Sequence, residues 1–215
     1  QFSISSPNDI RSNSVVEVTK FETYDKDIPV VKGLFDGRMG VTDRDIICAT
    51  CNQKNTCCPG HFGHIELVKP VYNYHFITTV VKLLKCVCFK CSKLLIDKES
   101  EICKLLSNKS SKIRWSEVYN LCGKVTSCGQ ETFDGCGAKQ PSNYKVDGVI
   151  GINIHWKDEG VPELKELMDV DIVKQILERI TDEDSNFMGF DPAWCRPDWL
   201  ICSVLPVPPP SVRPS

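Results

Sequence analysis

Four residues near the first quarter of the chain carry its clearest chemistry. Cys48-Ala-Thr-Cys51 and Cys58-Pro-Gly-His61 form two short hooks separated by six residues. A C-x-x-C or C-x-x-H turn brings two soft or borderline donors to one side of a tight loop, and a short connector lets two such turns close on one ion. That spacing predicts a tetrahedral zinc site made of Cys48, Cys51, Cys58 and His61. Pro59 fixes one φ of the second hook, and Gly60 is free to take the positive φ that such a turn often needs. His64 is the rival imidazole, but it opens a strand-like run, whereas His61 completes a hook like the pair before it.

A further hook, Cys88-Phe-Lys-Cys91, needs two partners. Cys128 and Cys136, separated by seven residues around Asp134-Gly135, are the best candidates, although 36 residues intervene between Cys91 and Cys128. Long excursions are tolerated because metal binding itself closes the loop. Cys122 is the main competitor, but it ends a helical segment, where a buried thiol is the commoner fate. Cys86 lies two residues before Cys88 and would face the opposite side. Cys57, Cys103, Cys195 and Cys202 have no partner at ligand spacing and are expected to be structural thiols. His75 and His155 are expected to be surface or packed side chains. Both four-ligand sets are closed, which predicts structural rather than catalytic ions.

The rest of the composition is that of an ordinary globular protein, with 41% hydrophobic and 25% charged residues in 215. The 13 cysteines could build a secreted disulfide framework, but the number is odd and no apolar leader precedes them. Metal sites plus buried thiols in a reducing compartment fit the paired spacing better. No run approaches the roughly 20 apolar residues of a membrane helix, so no membrane partner is expected. Opening on Gln1 and closing on a Pro-rich run, the sequence is expected to be part of something longer.

Net charge is −2, but it is unevenly spread. Nine Lys/Arg and three acids lie between Lys82 and Arg114, while twelve acids and four bases lie between Asp158 and Asp198. Such runs are often only solvated faces. The asymmetry nevertheless suits a basic side turned to a polyanion and an acidic side turned to solvent or another subunit.

Around the hooks, β-branched residues predict a strand over Val15–Thr19, a loop over Glu22–Lys26 and a turn over Asp36–Gly40. Alternation predicts a strand over His64–Val68, stopped by Pro70. Helical spacing of Phe76, Val80, Leu83 and Leu84 predicts a helix over 73–86 that delivers Cys88. Shorter helices are expected over Glu101–Leu106 and Trp115–Leu121, parted by the polar 107–112, and another over Asp169–Ile180 with Asp169 as its cap. Thr181–Ser185 is expected to be a polar exit, and the tail from Leu205 to Pro214 to be extended.

Taken in order, Asp36-Gly-Arg-Met-Gly40, Cys48-x-x-Cys51, Cys58-Pro-Gly-His-Phe-Gly-His-Ile65, Lys69-Pro70, Cys88-x-x-Cys91, Gly135-Cys136-Gly137, Leu205-Pro-Val-Pro-Pro-Pro210 and Val212-Arg-Pro-Ser215 span nearly the whole chain. This series resembles the amino-terminal clamp region of the largest subunit of a multisubunit DNA-directed RNA polymerase of the eukaryotic polymerase II type. The resemblance implies an α+β, irregular, zinc-stapled clamp core with short helices and small antiparallel strands. It covers residues 1–215, with zinc modules at about 36–70 and 86–141, a helical part at about 160–200 and a Pro-rich exit at 205–215. Family ligands carry over onto Cys48, Cys51, Cys58 and His61, and onto Cys88, Cys91, Cys128 and Cys136. The segment from about Ser12 to Lys32 resembles the zipper loop near the upstream edge of the bubble.

The implied role is to hold template DNA and the RNA–DNA hybrid in the cleft, with other polymerase subunits, the second-largest included, and transcription factors as partners. A zinc-stapled module binding subunits or factors through its acidic half is the alternative. The chemistry of such an enzyme is nucleotidyl transfer by two metal ions. No Asn-Ala-Asp-Phe-Asp-Gly-Asp element occurs here, so catalytic magnesium is expected outside this chain and the chain alone is expected to be inert. Gly37 stands where cellular polymerases usually carry Pro, and the stretch from Cys128 to Cys136 is short. Both features hint at a divergent eukaryote or, slightly preferred, a large DNA virus. Location would be the nucleus in the first case and the host cytoplasm or virion in the second.

Overall fold

The computed structural model describes residues 3–43, 46–148, 151–157 and 162–213. Gly160 and Val161 of the expected helical part, and Pro214 and Ser215 of the expected exit, lie outside the described residues. In chain order the elements are α1 (Pro7–Ser12), β1 (Tyr24–Asp25), β2 (Ile28–Pro29), β3 (Gly63–Tyr72), α2 (Ile77–Cys86), α3 (Glu101–Ser107), α4 (Ser111–Cys122), β4 (Asn143–Asp147), β5 (Gly151–Trp156), β6 (Leu164–Met168), α5 (Val170–Glu178), α6 (Asp182–Met188) and β7 (Ile201–Val207). Helices and small sheets make the fold α+β. The sheets are β1–β2, β3–β7 and β4–β5–β6. The chain divides into two units, residues 1–4 with 70–202 and residues 5–69 with 203–215.

The larger unit is built on apolar helix faces. Helix α2 buries Ile77, Val80, Leu83 and Leu84; three of these belong to the expected stripe, while its fourth member, Phe76, sits at the N-cap, partly buried against the same core. It starts later than residue 73 because Asn73 accepts the N–H of His75 on its side chain and that of Phe76 on its carbonyl, which holds a turn there. Helix α5 buries Val173, Ile176 and Leu177 behind the Asp169 cap. Helix α4 is longer than expected at both ends, so the polar separator shrinks to Asn108–Ser110.

Two parts of this unit differ from the sequence reading. Thr181 does not open a polar exit; its side chain caps α6 by accepting the Asp184 N–H. Asp182, Glu183 and Asp184 fill the first turn, where the helix dipole favours acids. The second difference is the antiparallel sheet β4–β5–β6, with Ile152 opposite Val146 and Met168, and Ile154 opposite Tyr144 and Glu166. Ile152, Ile154 and Tyr144 turn into the core.

In the smaller unit, α1 begins with a reciprocal capping box between Ser6 and Asp9. The expected strand at Val15–Thr19 is not a ladder strand. It touches the run after His61 through one parallel bridge, Glu17 to His64, with Val15, His64 and Val18 N–H groups donating to Phe62, Val16 and His64 carbonyls. The expected loop at Glu22–Lys26 is instead part of a hairpin, β1–β2, whose two turn residues Lys26 and Asp27 both have positive φ. That geometry matches strand twist. The core is small: Val16, Val18, Met39 and Val207, with Val15, Leu34 and Ile65 packed against it.

Strand β3 was expected to stop before Pro70, yet it continues to Tyr72. In a two-stranded ribbon every strand is an edge, where a missing N–H is tolerated. The tail is extended through Val207 within β7 and again at Pro209 and Arg213. Pro210–Val212 then makes a short 3-10 turn.

Candidate metal centres

Two groups of side chains come together with one ligand atom each. Within Cys48, Cys51, Cys58 and His61 those atoms all lie within 4.8 Å of one another, and the same holds for Cys88, Cys91, Cys128 and Cys136. Each group could hold one metal ion. The first belongs to the smaller unit, the second to the larger.

The leading hooks of both groups have the same backbone. The Cys48 N–H donates to Gln53 O, the Asn52 N–H donates to Cys48 O, and Ile47 bridges Lys54. Forty residues on, the Cys88 N–H donates to Lys93 O, the Ser92 N–H to Cys88 O, and Val87 bridges Leu94. The residue that turns the chain has positive φ in each, +56° at Asn52 and +63° at Ser92. No glycine marks either position, so the shared fold of the hooks was not visible as a sequence repeat.

The trailing hooks close differently. Gly60 has φ +80°, as the Pro-Gly pair suggested, and its N–H points to Cys58 Sγ at 3.4 Å. His61 donates its own N–H to Met39 O. In the second group the longer Cys128–Cys136 loop folds back so tightly that a Cβ on Gly135 would lie 2.2 Å from the Gly129 backbone. Cys128 N–H donates to Ala138 O and Gly137 N–H to Cys128 O, which fixes the loop's ends.

The Asp36-Gly-Arg turn, which sequence reasoning treated as turn chemistry alone, is a brace for the first group. Asp36 is buried and accepts the Lys32 and Arg38 N–H groups and the Arg38 guanidinium. The Arg38 guanidinium holds this carboxyl down at about 2, against the cost of burial, with the two backbone donors assisting. Gly37 O then accepts from Ala49, Arg38 O from the Thr50 hydroxyl, and Met39 O from His61, so one turn touches both hooks.

Thiol acidity separates the sulfurs. Burial opposes ionisation of Cys88, but the Cys91 and Lys90 N–H groups and the Gln140 amide outweigh it and bring the thiol to about 7. Burial pushes Cys58 up to about 11 and Cys128 up to about 12. Lys93 reaches across the second group to the Asp134 carboxylate at 2.6 Å.

The remaining candidates sort clearly. His64 stands outside the first group, its Nδ1 2.7 Å from Ser14 Oγ. Cys122 is buried outside the second group, where the adjacent Cys86 and burial raise it far above the usual thiol range. Cys103 is buried and Cys195 and Cys202 are half-buried, but Cys57 is exposed, contrary to a packed structural role. His75 is exposed against Tyr74, and His155 is buried with Nδ1 2.8 Å from Glu163.

The basic run is less free than its sequence suggests. Lys98 pairs with Asp184 at 2.7 Å and Glu183 at 3.5 Å, so the basic and acidic runs partly neutralise each other within one unit, while Lys104 pairs with Glu99 inside the basic run at 3.3 Å. Arg114 is taken up by the carbonyls of Phe187 and Asn186 near the end of α6. Lys82 and Lys85 both lie about 6 Å from the Tyr119 ring centre. No helix among the described residues is long and apolar enough to cross a membrane.

Comparison with known proteins gives matches across the whole chain. A family model described as RNA polymerase Rpb1, domain 1, matches residues 1–215. The chain is also 42% identical over 224 residues to DNA-directed RNA polymerase II subunit RPB1 of Euplotoides octocarinatus. That alignment takes in 100% of this chain and 47% of the relative, so the chain spans about half of that protein's length.

Proposed function

The chain belongs to the RNA polymerase Rpb1 domain 1 family, and from that membership we propose that it is a clamp part of the largest subunit of a DNA-directed RNA polymerase. Its task is to hold template DNA and the RNA–DNA hybrid while the nucleotidyl-transfer site, with its magnesium, lies elsewhere in the subunit. The observation that carries this reading is the full-length family match of a chain with two closed four-ligand clusters and no catalytic carboxylate cluster. Other polymerase subunits, the second-largest among them, and transcription factors are its protein partners. It works where the template is: in the nucleus for a cellular chain, in the host cytoplasm or virion for a viral one.

Each cluster binds one zinc ion, through Cys48, Cys51, Cys58 and His61 and through Cys88, Cys91, Cys128 and Cys136. The donor chemistry supports zinc: sulfur-rich, four-fold and without an open position. Spacing supports it too. A tetrahedron with metal–sulfur arms of ~2.3 Å has edges near ~3.8 Å. Cys58 Sγ to His61 Nε2 is 3.8 Å, Cys88 to Cys136 3.6 Å and Cys91 to Cys128 3.7 Å. The ions supply cross-linking, not catalysis.

Nucleic-acid holding falls to the lysines that no carboxylate claims. Among the described residues of the basic run, Lys82, Lys85, Lys109 and Lys112, like Lys90, pair with no carboxylate, and these four make sequence-independent phosphate contacts in this reading. Changing these four to Glu in the assembled polymerase is expected to shorten elongation-complex lifetime and flatten its salt dependence, each lost phosphate contact removing about one unit of slope. Unaltered lifetime and slope would remove this stretch from the nucleic-acid path.

A further inference from the structure

The second cluster carries a side chain with no counterpart at the first. Gln140 is 8% exposed and uses its amide completely. Nε2 donates to Cys88 Sγ at 3.3 Å and to Ala138 O at 2.8 Å, while Oε1 accepts the Phe89 N–H at 3.3 Å. Phe89 lies inside the leading hook, and Ala138 O also receives the Cys128 N–H. One amide therefore ties the two hooks together and touches a ligand sulfur as well.

The reason for such a group lies in charge. Four thiolates put one more negative charge around a divalent ion than three thiolates and an imidazole. An N–H aimed at sulfur draws density from it and fixes its orientation. Among the described residues, the N–H donors to the sulfurs of the first cluster come from backbone, the one side-chain nitrogen beside them being that of the ligand candidate His61 itself. In the second cluster Cys88 is buried and takes the Gln140 donor in addition to backbone donors, Cys91 takes the Lys93 N–H and Cys128 the Cys136 N–H, and Cys136 is the exposed sulfur of the four.

We infer that Gln140 is a positioning residue of the second metal centre, orienting Cys88 and drawing charge from it so that the exposed Cys136 is the corner at which the centre opens. This rests on the zinc reading above. Iodoacetamide probes the asymmetry directly, since a free or released thiolate displaces iodide from the reagent's CH2 group and forms a C–S bond.

The test uses the full chain with Gln140→Glu, which keeps an acceptor for Phe89 but loses the donor, and Gln140→Met, which loses both. Chelator competition followed by native mass spectrometry is expected to show one ion leaving each variant 10- to 100-fold faster, with the other ion unaffected. In cobalt-loaded protein the thiolate-to-cobalt charge-transfer bands shift in both variants. Within the second cluster, alkylation begins at Cys136 in the parent chain and spreads to Cys88 at the same early time in the variants. Release at the parent rate with unshifted bands overturns the inference, and so does equal acceleration of both ions, which is general destabilisation. If Gln140→Met does not fold, Gln140→Glu decides alone. A parent chain holding fewer than two ions overturns the zinc reading itself; two ions with insensitive variants overturn only the role of Gln140.

Discussion

The two clusters share a backbone design but sit in opposite surroundings. Among the described residues, the apolar cluster of the smaller unit has four buried members, with Cys48 buried outside it, whereas that of the larger unit has twenty-seven, Cys88 and Cys128 among them. Hydrophobic burial can hold the larger unit's helices without help, at about 25 cal/mol per Å². The smaller unit has too little of it to order its loops. In the zinc reading, an ion replaces a core in one unit and trims the edge of an existing core in the other.

Removing metal gives the largest expected effect and the sharpest way to break this contrast. Cys51→Ser, or chelation, is expected to abolish amide-exchange protection across residues 12–69, because structural zinc binding worth about 10–16 kcal/mol is folding energy for such loops. Cys91→Ser should free the 128–139 loop while α2 and α5 stay protected. Equal protection of both units with and without chelator would show that the smaller unit does not depend on its ion.

A smaller effect tests the brace under the first cluster. The Asp36 carboxyl is held at about 2, below its ordinary 3.8, by Arg38 first and by backbone donors. A carboxylate depressed on folding stabilises above its unfolded value, and the contribution fades as pH falls from about 4 through about 2. Asp36→Asn should therefore cost roughly 1–2 kcal/mol at neutral pH, allowing for the half-exposed guanidinium. Denaturation of parent and variant across that range checks it: a gap that persists at pH 2 means that shape, not charge, is the Asp36 contribution.

The smallest effect belongs to the ion pair across the second cluster. Lys93 and Asp134 are both largely open to water, so Lys93→Ala should leave the melting temperature unchanged. A clear drop would mean that the second cluster also relies on an external brace, as the first relies on Asp36.

How much was readable follows from the range of each interaction. Hooks depend on neighbours three residues apart, so Cys48, Cys51, Cys58 and His61 could be grouped from spacing, and the stripe on α2 from its period. The β4–β5–β6 sheet escaped because Leu164-Lys-Glu-Leu-Met168 has no strict alternation and its pairing with Gly151–Trp156 is a matter of register, not composition. The α6 cap escaped because a Thr followed by three acids serves a loop as well as a helix start. Lys98 with Asp184 shows the same limit for charge: runs that look segregated along the chain meet in space.

The chain by itself determined its family, its donor atoms and the helices whose apolar periods exceed two turns, because each rests on residues close in sequence. Tertiary structure alone decided that Asp36 braces both hooks of one cluster and that the Gln140 amide lies against Cys88 Sγ in the other, and it left Cys122 outside the group that the sequence had already favoured. Those choices depend on loops of tens of residues returning to within hydrogen-bonding distance, and loop closure varies too weakly with length for spacing to select the partner.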